Sequence, residues 1–283
     1  MTAKKTTLLW GVFAASLIAA HAHAQPEPEP EAKPAGSAAG AESGGQLTLP
    51  KGRLILDAFI EINLNEAFKP VSISPDIWYG ATPDLTVGLV HSAVGGSGFI
   101  GGVGNSLCLT GSDNGCTDLY PGFGLDARYK LKTGMLSWAA DGGLFFAHLS
   151  DPMLLSLKLG AIGRWEQDKI AVELQPNLSI GLTNRSVDVA GASVALNRDV
   201  LSLPFTGLYA VNPMITVAAQ LGVVLPLEDA GDFYSIPLSI GGIYHVNESI
   251  NATLAFSLPR LVGGGSQTGF DARSLTLGGT YAF

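Results

Sequence analysis

From Lys51 to Phe283 apolar and polar side chains alternate almost without interruption, and this period of two governs everything the chain can fold into. A strand shows successive side chains to opposite faces, so strict alternation predicts strands with one apolar and one polar face. The first, Gly52 to Leu64, sets Leu54, Leu56, Ala58, Ile60, Ile62 and Leu64 against Arg53, Asp57, Glu61 and Asn63. Further strands are expected from about Pro70 to Tyr79, Leu85 to Ala93, Tyr120 to Leu131, Met135 to Ala147, Met153 to Trp165 and Ile170 to Leu182. Five more are expected near residues 199–211, 214–225, 233–246, 250–258 and 273–283. Each is long enough for the 9–11 residues of a tilted membrane-crossing strand.

The apolar face is too abundant for a water-soluble sheet. Mean hydropathy is +0.30 with only 14% charged residues, yet polar residues and glycines break every apolar run after the N-terminal stretch. Within lipid every backbone polar group needs a partner, which leaves helices or closed barrels. The pattern excludes helices. A soluble β-sandwich would not keep so many strands apolar on the outer face.

Connection lengths add a second constraint. Short turns fall at 80–84, 132–134, 166–169, 212–213 and 247–249, alternating with connections at 65–69, 94–118, 148–152, 183–198, 226–232 and 259–272. Short turns on one side, longer loops on the other and an even strand count characterise membrane barrels. Tyr79, Tyr209 and Tyr244 each close a strand before a short turn, as an aromatic girdle requires.

The two ends agree. Lys4 and Lys5, the apolar stretch Leu8 to Ala20 and the small-x-small site Ala22-His23-Ala24 form a secretory signal peptide over residues 1–24. Residues 25–50 begin QPEPEPEAKPAGSAAG, a composition that cannot bury a core and predicts a disordered periplasmic linker. The barrel then spans residues 51–283. At the other end, RSLTLGGTYAF places Leu275, Leu277, Tyr281 and Phe283 on one parity, so the terminus is expected inside a sheet. Joined to a signal peptide, this ending resembles the C-terminal signal of Gram-negative outer-membrane β-barrels, in which Tyr281 and Phe283 would be read by the assembly machinery. The architecture resembles porin- and transporter-like barrels over roughly residues 50–283. The expected fold is all-β, a transmembrane antiparallel up-and-down β-barrel of about twelve strands.

On this register the inward set includes Arg53, Asp57, Glu61, Asp76, Asp126, Arg128, Lys130, Asp141, Lys158, Arg164, Glu173, Gln175 and Asn177, with Gln220 and Asn251. These are the expected pore-lining residues. Their five bases and six acids argue against strong ion selectivity, and a polar interior fits either a hydrated pore or a salt-bridged, closed lumen. The lumen of a twelve-stranded barrel is modest, so large cargo is not expected. Loss of Lys4 and Lys5 leaves 24 acids against 14 bases, which gives no support for nucleic-acid binding. The expected partners are outer-membrane lipid, the barrel-assembly machinery and small solutes.

Cys108 and Cys116, the only cysteines, share the longest loop and are expected to form a disulfide there. No cofactor, metal site or catalytic residue is expected. His148-Leu149-Ser150 is similar to the His-x-Ser dyad of outer-membrane phospholipase A. A serine hydrolase also needs a third group to orient the histidine, and Asn177 has the wrong parity for it. The expected role is therefore a channel or solute transporter restricted by external loops. The alternative is a non-conducting structural or surface-interaction barrel, with a hydrolase as the third reading.

Overall fold

The computed structural model describes residues 47–66, 69–91, 107–116, 118–149, 151–189, 192–228, 230–264 and 269–283. The proposed signal peptide, most of the linker and Ser150 lie outside the described residues.

Twelve antiparallel strands close on themselves in sequence order. They are β1 (Leu54–Glu66), β2 (Lys69–Gly80), β3 (Leu85–Val90, resumed at Leu107–Cys108), β4 (Phe123–Lys132), β5 (Leu136–His148) and β6 (Leu154–Gln167). There follow β7 (Ile170–Leu174 and Asn177–Gly181), β8 (Val200–Ser202 and Phe205–Asn212), β9 (Ile215–Leu221 and Val224–Pro226), β10 (Ser235–His245), β11 (Ile250–Gly263) and β12 (Ser274–Ala282). β12 pairs with β11 on one side and with β1 on the other, from Ile55↔Ala282 to Asn63↔Ser274. No sheet edge is left at this closure, which is what a lipid-embedded sheet needs.

The alternation partitions the side chains as expected. Outward residues such as Leu56, Ile77, Leu159, Ile240, Leu254, Leu277 and Tyr281 are exposed. Their neighbours Asp57, Asp76, Thr253, Thr276 and Thr280 are buried in the interior. The last turn of the chain is fixed by Phe283, whose N–H donates to the Leu54 carbonyl, 2.9 Å.

Three departures from the simple strand reading have local causes. β3 stops at mid-wall, where His91 follows Val90, and Leu107–Cys108 resumes the pairing to Ser72 and Ile73 of β2. The expected loop at 94–118 is thus partly wall, and Cys108 lies in a strand. β7, β8 and β9 are each interrupted at one height, at Pro176, Pro204 and Gly222-Val223. On the next two strands the β10–β11 register shifts beside Pro237 and Pro259. A proline has no N–H for the ladder, but its carbonyl still accepts. Ala161 donates to Pro176, Gln175 to Pro204 and Gly222 to Pro237, at 3.0, 3.1 and 3.1 Å. This seam keeps three bonds while its strands bend. β11 also runs five residues past its expected end, to Gly263, because Ser235 and Ile236 pair beyond the shift.

At the end of the barrel where β1 starts and β12 ends, the segment expected to be a solvated spacer is already packed before Pro50. Leu47, Thr48 and Leu49 are 3%, 3% and 2% exposed.

Candidate functional site: the barrel interior

The inward charged residues fall into clusters rather than a continuous lining. In the first, Lys158 of β6 sits between two carboxylates, 2.7 Å from Asp126 Oδ2 and 2.9 Å from Asp141 Oδ2. The register produces this, since Asp126↔Gly143 and Lys158↔Gly143 place a glycine between the two strands that carry them. Gln175 Nε2 donates to Asp141 Oδ2 at 3.3 Å, and Asn177 Nδ2 donates to the Gln175 carbonyl at 3.2 Å.

In the second cluster Arg164 lies 3.4 Å from Glu166 and 3.8 Å from its cross-strand partner Glu173. Asp57 and Asp76 form the third. They are directly opposed on β1 and β2; Thr280 Oγ1 donates to Asp57, and the His91 backbone N–H donates to Asp76. Arg128, only 2% exposed, lies with its guanidinium carbon 4.0 Å from the Trp78 ring centroid. A desolvated arginine over an indole face gains a cation–π attraction.

Two of the expected lining residues sit at the terminal rim. Lys130 pairs with Asp84 at 2.6 Å and donates to the Pro83 carbonyl at 2.9 Å, so it staples a short turn. The backbone of Arg53 bonds Pro50 and Gly80. Glu61 is a half-buried residue of β1, nearer the far end.

Sequence reasoning missed the apolar members of the interior. Ile55, Phe59, Trp78, Val90 and Ile162 are buried there, at 3% exposure or less. Their parity was the available signal: Trp78 shares its face with Asp76 and Ser74. Two glycines make room for these rings. A Cβ on Gly88 would stand 2.4 Å from the Trp78 ring, and one on Gly278 would stand 2.4 Å from Phe59.

At the far end Cys108 and Cys116 form a disulfide. His148 Nε2 is 2.8 Å from Asp118 Oδ2, and its Nδ1 is 3.1 Å from the Pro152 carbonyl. Asp118, thirty residues away in sequence, gave no local signal of this contact. Arg185 joins Asp199 and Glu228 at 2.6 and 2.7 Å, tying the β7–β8 connection to the β9–β10 connection. The described residues contain no cluster of potential metal ligands.

The fold matches solved outer-membrane barrels. A NanC porin structure superposes with a TM-score of 0.57 at 10% identity, covering 80% of this chain and 98% of that one. The KdgM porin gives 0.54 at 11% identity, covering 81% and 99%. The COG4313 outer membrane channel from Pseudomonas putida F1 gives 0.54 at 15% identity, covering 85% and 99%. No family model and no curated protein matches the sequence. The likeness is one of fold.

Proposed function

We propose that the chain is an outer-membrane channel or transporter for small solutes, with both termini periplasmic and no enzymatic role. The observation that carries it is the partition of the wall: an exposed apolar exterior around an interior of charges and hydroxyls. That interior carries the cations Lys158, Arg128 and Arg164, each costing several kcal/mol to desolvate before pairing.

The charge pattern narrows the cargo. A related barrel, the KdgM porin, was solved with disordered oligogalacturonate. A polyanion is recognised by cations available to it, whereas Lys158 and Arg164 here each face two carboxylates. A small neutral or zwitterionic solute fits this balance better than a polyanion. The signal peptide would deliver the chain to the periplasm, and Tyr281 and Phe283, whose rings meet edge-on at 4.4 Å, would serve as the assembly signal. Phe283→Ser is expected to lower the yield of heat-modifiable barrel in the outer membrane without changing the total chain produced.

Single-channel recording in a planar bilayer tests the function. Discrete steps, with a reversal potential near zero in a salt gradient, are expected. A strongly selective pore would contradict the charge balance. The non-conducting reading is favoured by one observation, the near-complete burial of interior groups such as Ser74, Ser257 and Thr276. A silent membrane from correctly folded protein, even after mutation of the N-terminal segment described next, would decide for it.

A further inference from the structure

The segment Leu47–Leu49 lies inside the barrel, against its inner wall. Leu49 packs in one cluster with Ile55, Trp78, Val90 and Ala282, from β1, β2, β3 and β12. Leu47 packs in another with Ala139 and Ile162, from β5 and β6. All these wall residues share the inward parity of their strands, and the two clusters belong to separate arcs of the wall. The Leu49 N–H donates to Thr86 Oγ1 at 2.7 Å, so the backbone is held as well as the side chains. The wall is shaped to admit it at the terminal rim, where a Cβ on Gly80 would stand 2.0 Å from the Pro50 carbonyl oxygen.

Size makes this consequential. Twelve strands about 4.8 Å apart and tilted about 40° enclose a Cα diameter of about 24 Å. Inward side chains such as Trp78, Arg128 and Phe59 take up much of that width. One extended segment with two leucines then has a large effect on what remains.

We propose that Leu47–Leu49 is a built-in stopper of the periplasmic mouth, and that solute passage requires its release. This rests on the channel reading above. Among the described contacts, the two leucine clusters and the Leu49–Thr86 hydrogen bond hold the stopper, and none of them is ionic. It can leave without any barrel strand unpairing.

The test uses the full mature chain with a reporter, Thr48→Cys, since Cys108 and Cys116 are already bonded to each other. Labelling by a membrane-impermeant maleimide is compared with and without the pair Leu47→Asp and Leu49→Asp, and folding is followed by heat-modifiable gel mobility. In the parent background labelling should be slower by on the order of tenfold or more, as for a site exposed only by local opening. The Asp pair should abolish that protection and enlarge or unmask conductance steps. Equal labelling in both backgrounds would mean that the segment is not seated, and the stopper falls whatever the conductance. Unchanged non-zero conductance after release would also overturn it. Release with a membrane silent in both backgrounds would overturn the channel reading and the stopper with it. A second release variant, Gly80→Ala, acts on the wall contact instead and should give the same two changes.

Discussion

At the scale of single residues, the interior is organised by compensation. Lys158 is the only cation within ion-pair distance of Asp126 and Asp141 among the pairs described. Lys158→Met should therefore leave two buried carboxylates facing each other and destabilise the barrel by about 3–5 kcal/mol, the range for removing one partner of a buried pair. Urea unfolding in liposomes measures this, and Asp126→Asn added to Lys158→Met should restore part of it. Gly88→Ala probes a different constraint. The methyl would strike the Trp78 ring, and overpacking of this kind costs about 1–3 kcal/mol. Tryptophan fluorescence should show the indole displaced from Arg128, while Gly207→Ala, where a Cβ meets only an Ala219 carbonyl at 4.0 Å, should be nearly silent. Parity made the placement of Lys158 and Asp141 legible in the sequence. Their pairing was not, because which inward residues meet depends on the register between neighbouring strands, which alternation alone leaves unstated. Trp78 went unnoticed for another reason: polarity does not mark an apolar ring at an inward position, and only parity places it.

Elements show the same division. Strand existence and order followed from period two and from turn spacing, since a one-residue slip would turn a whole apolar face inward. Interruptions were harder to read. Pro176, Pro204, Pro237 and Pro259 are far apart in sequence and become one seam only when neighbouring strands are aligned. The outer connections depend on polar ties instead of pattern. Arg185 hydrogen-bonds Asp199 and lowers its carboxyl pKa from the ordinary value, with the Gly181 N–H adding to the effect. Because the folded-state value is depressed, the tie is fully present above the ordinary carboxylate range and is lost as pH falls through the depressed value. Hydrogen exchange, corrected for its intrinsic pH dependence, should therefore show the hairpin formed by Ser186–Val189 and Ala192–Ala195 loosening under acid. Arg185→Gln should loosen it at neutral pH and flatten the pH dependence.

On the scale of the whole molecule, the exterior sets the solvent and the interior sets the task. Ile240, midway along β10, is 52% exposed on the outer face. Ile240→Arg should cost about 2–4 kcal/mol in a bilayer, the range for a cation near the midplane of a barrel's lipid face. The same variant in a short-chain detergent micelle, where the head can reach water, should lose much less. Comparing the two separates a lipid-facing wall from a protein-facing one. Fold class was legible because hydropathy and alternation constrain the same residues jointly. The burial of Leu47–Leu49 was not, since an isolated Leu-Thr-Leu beside a Pro- and Gly-rich stretch carries no period that marks it for burial.

The position of β12 between β1 and β11 has a consequence for how the molecule is made. Synthesis runs from the N-terminus, so β1 exists long before the strand that will lie beside it. Until Ser274–Ala282 arrives, two rows of peptide groups have no partner, and each unsatisfied group in hydrocarbon costs several kcal/mol. A chain without β12 thus meets an energetic bar to the membrane, in addition to losing the proposed assembly signal. Closure of the wall waits on β12, the strand made last of the twelve.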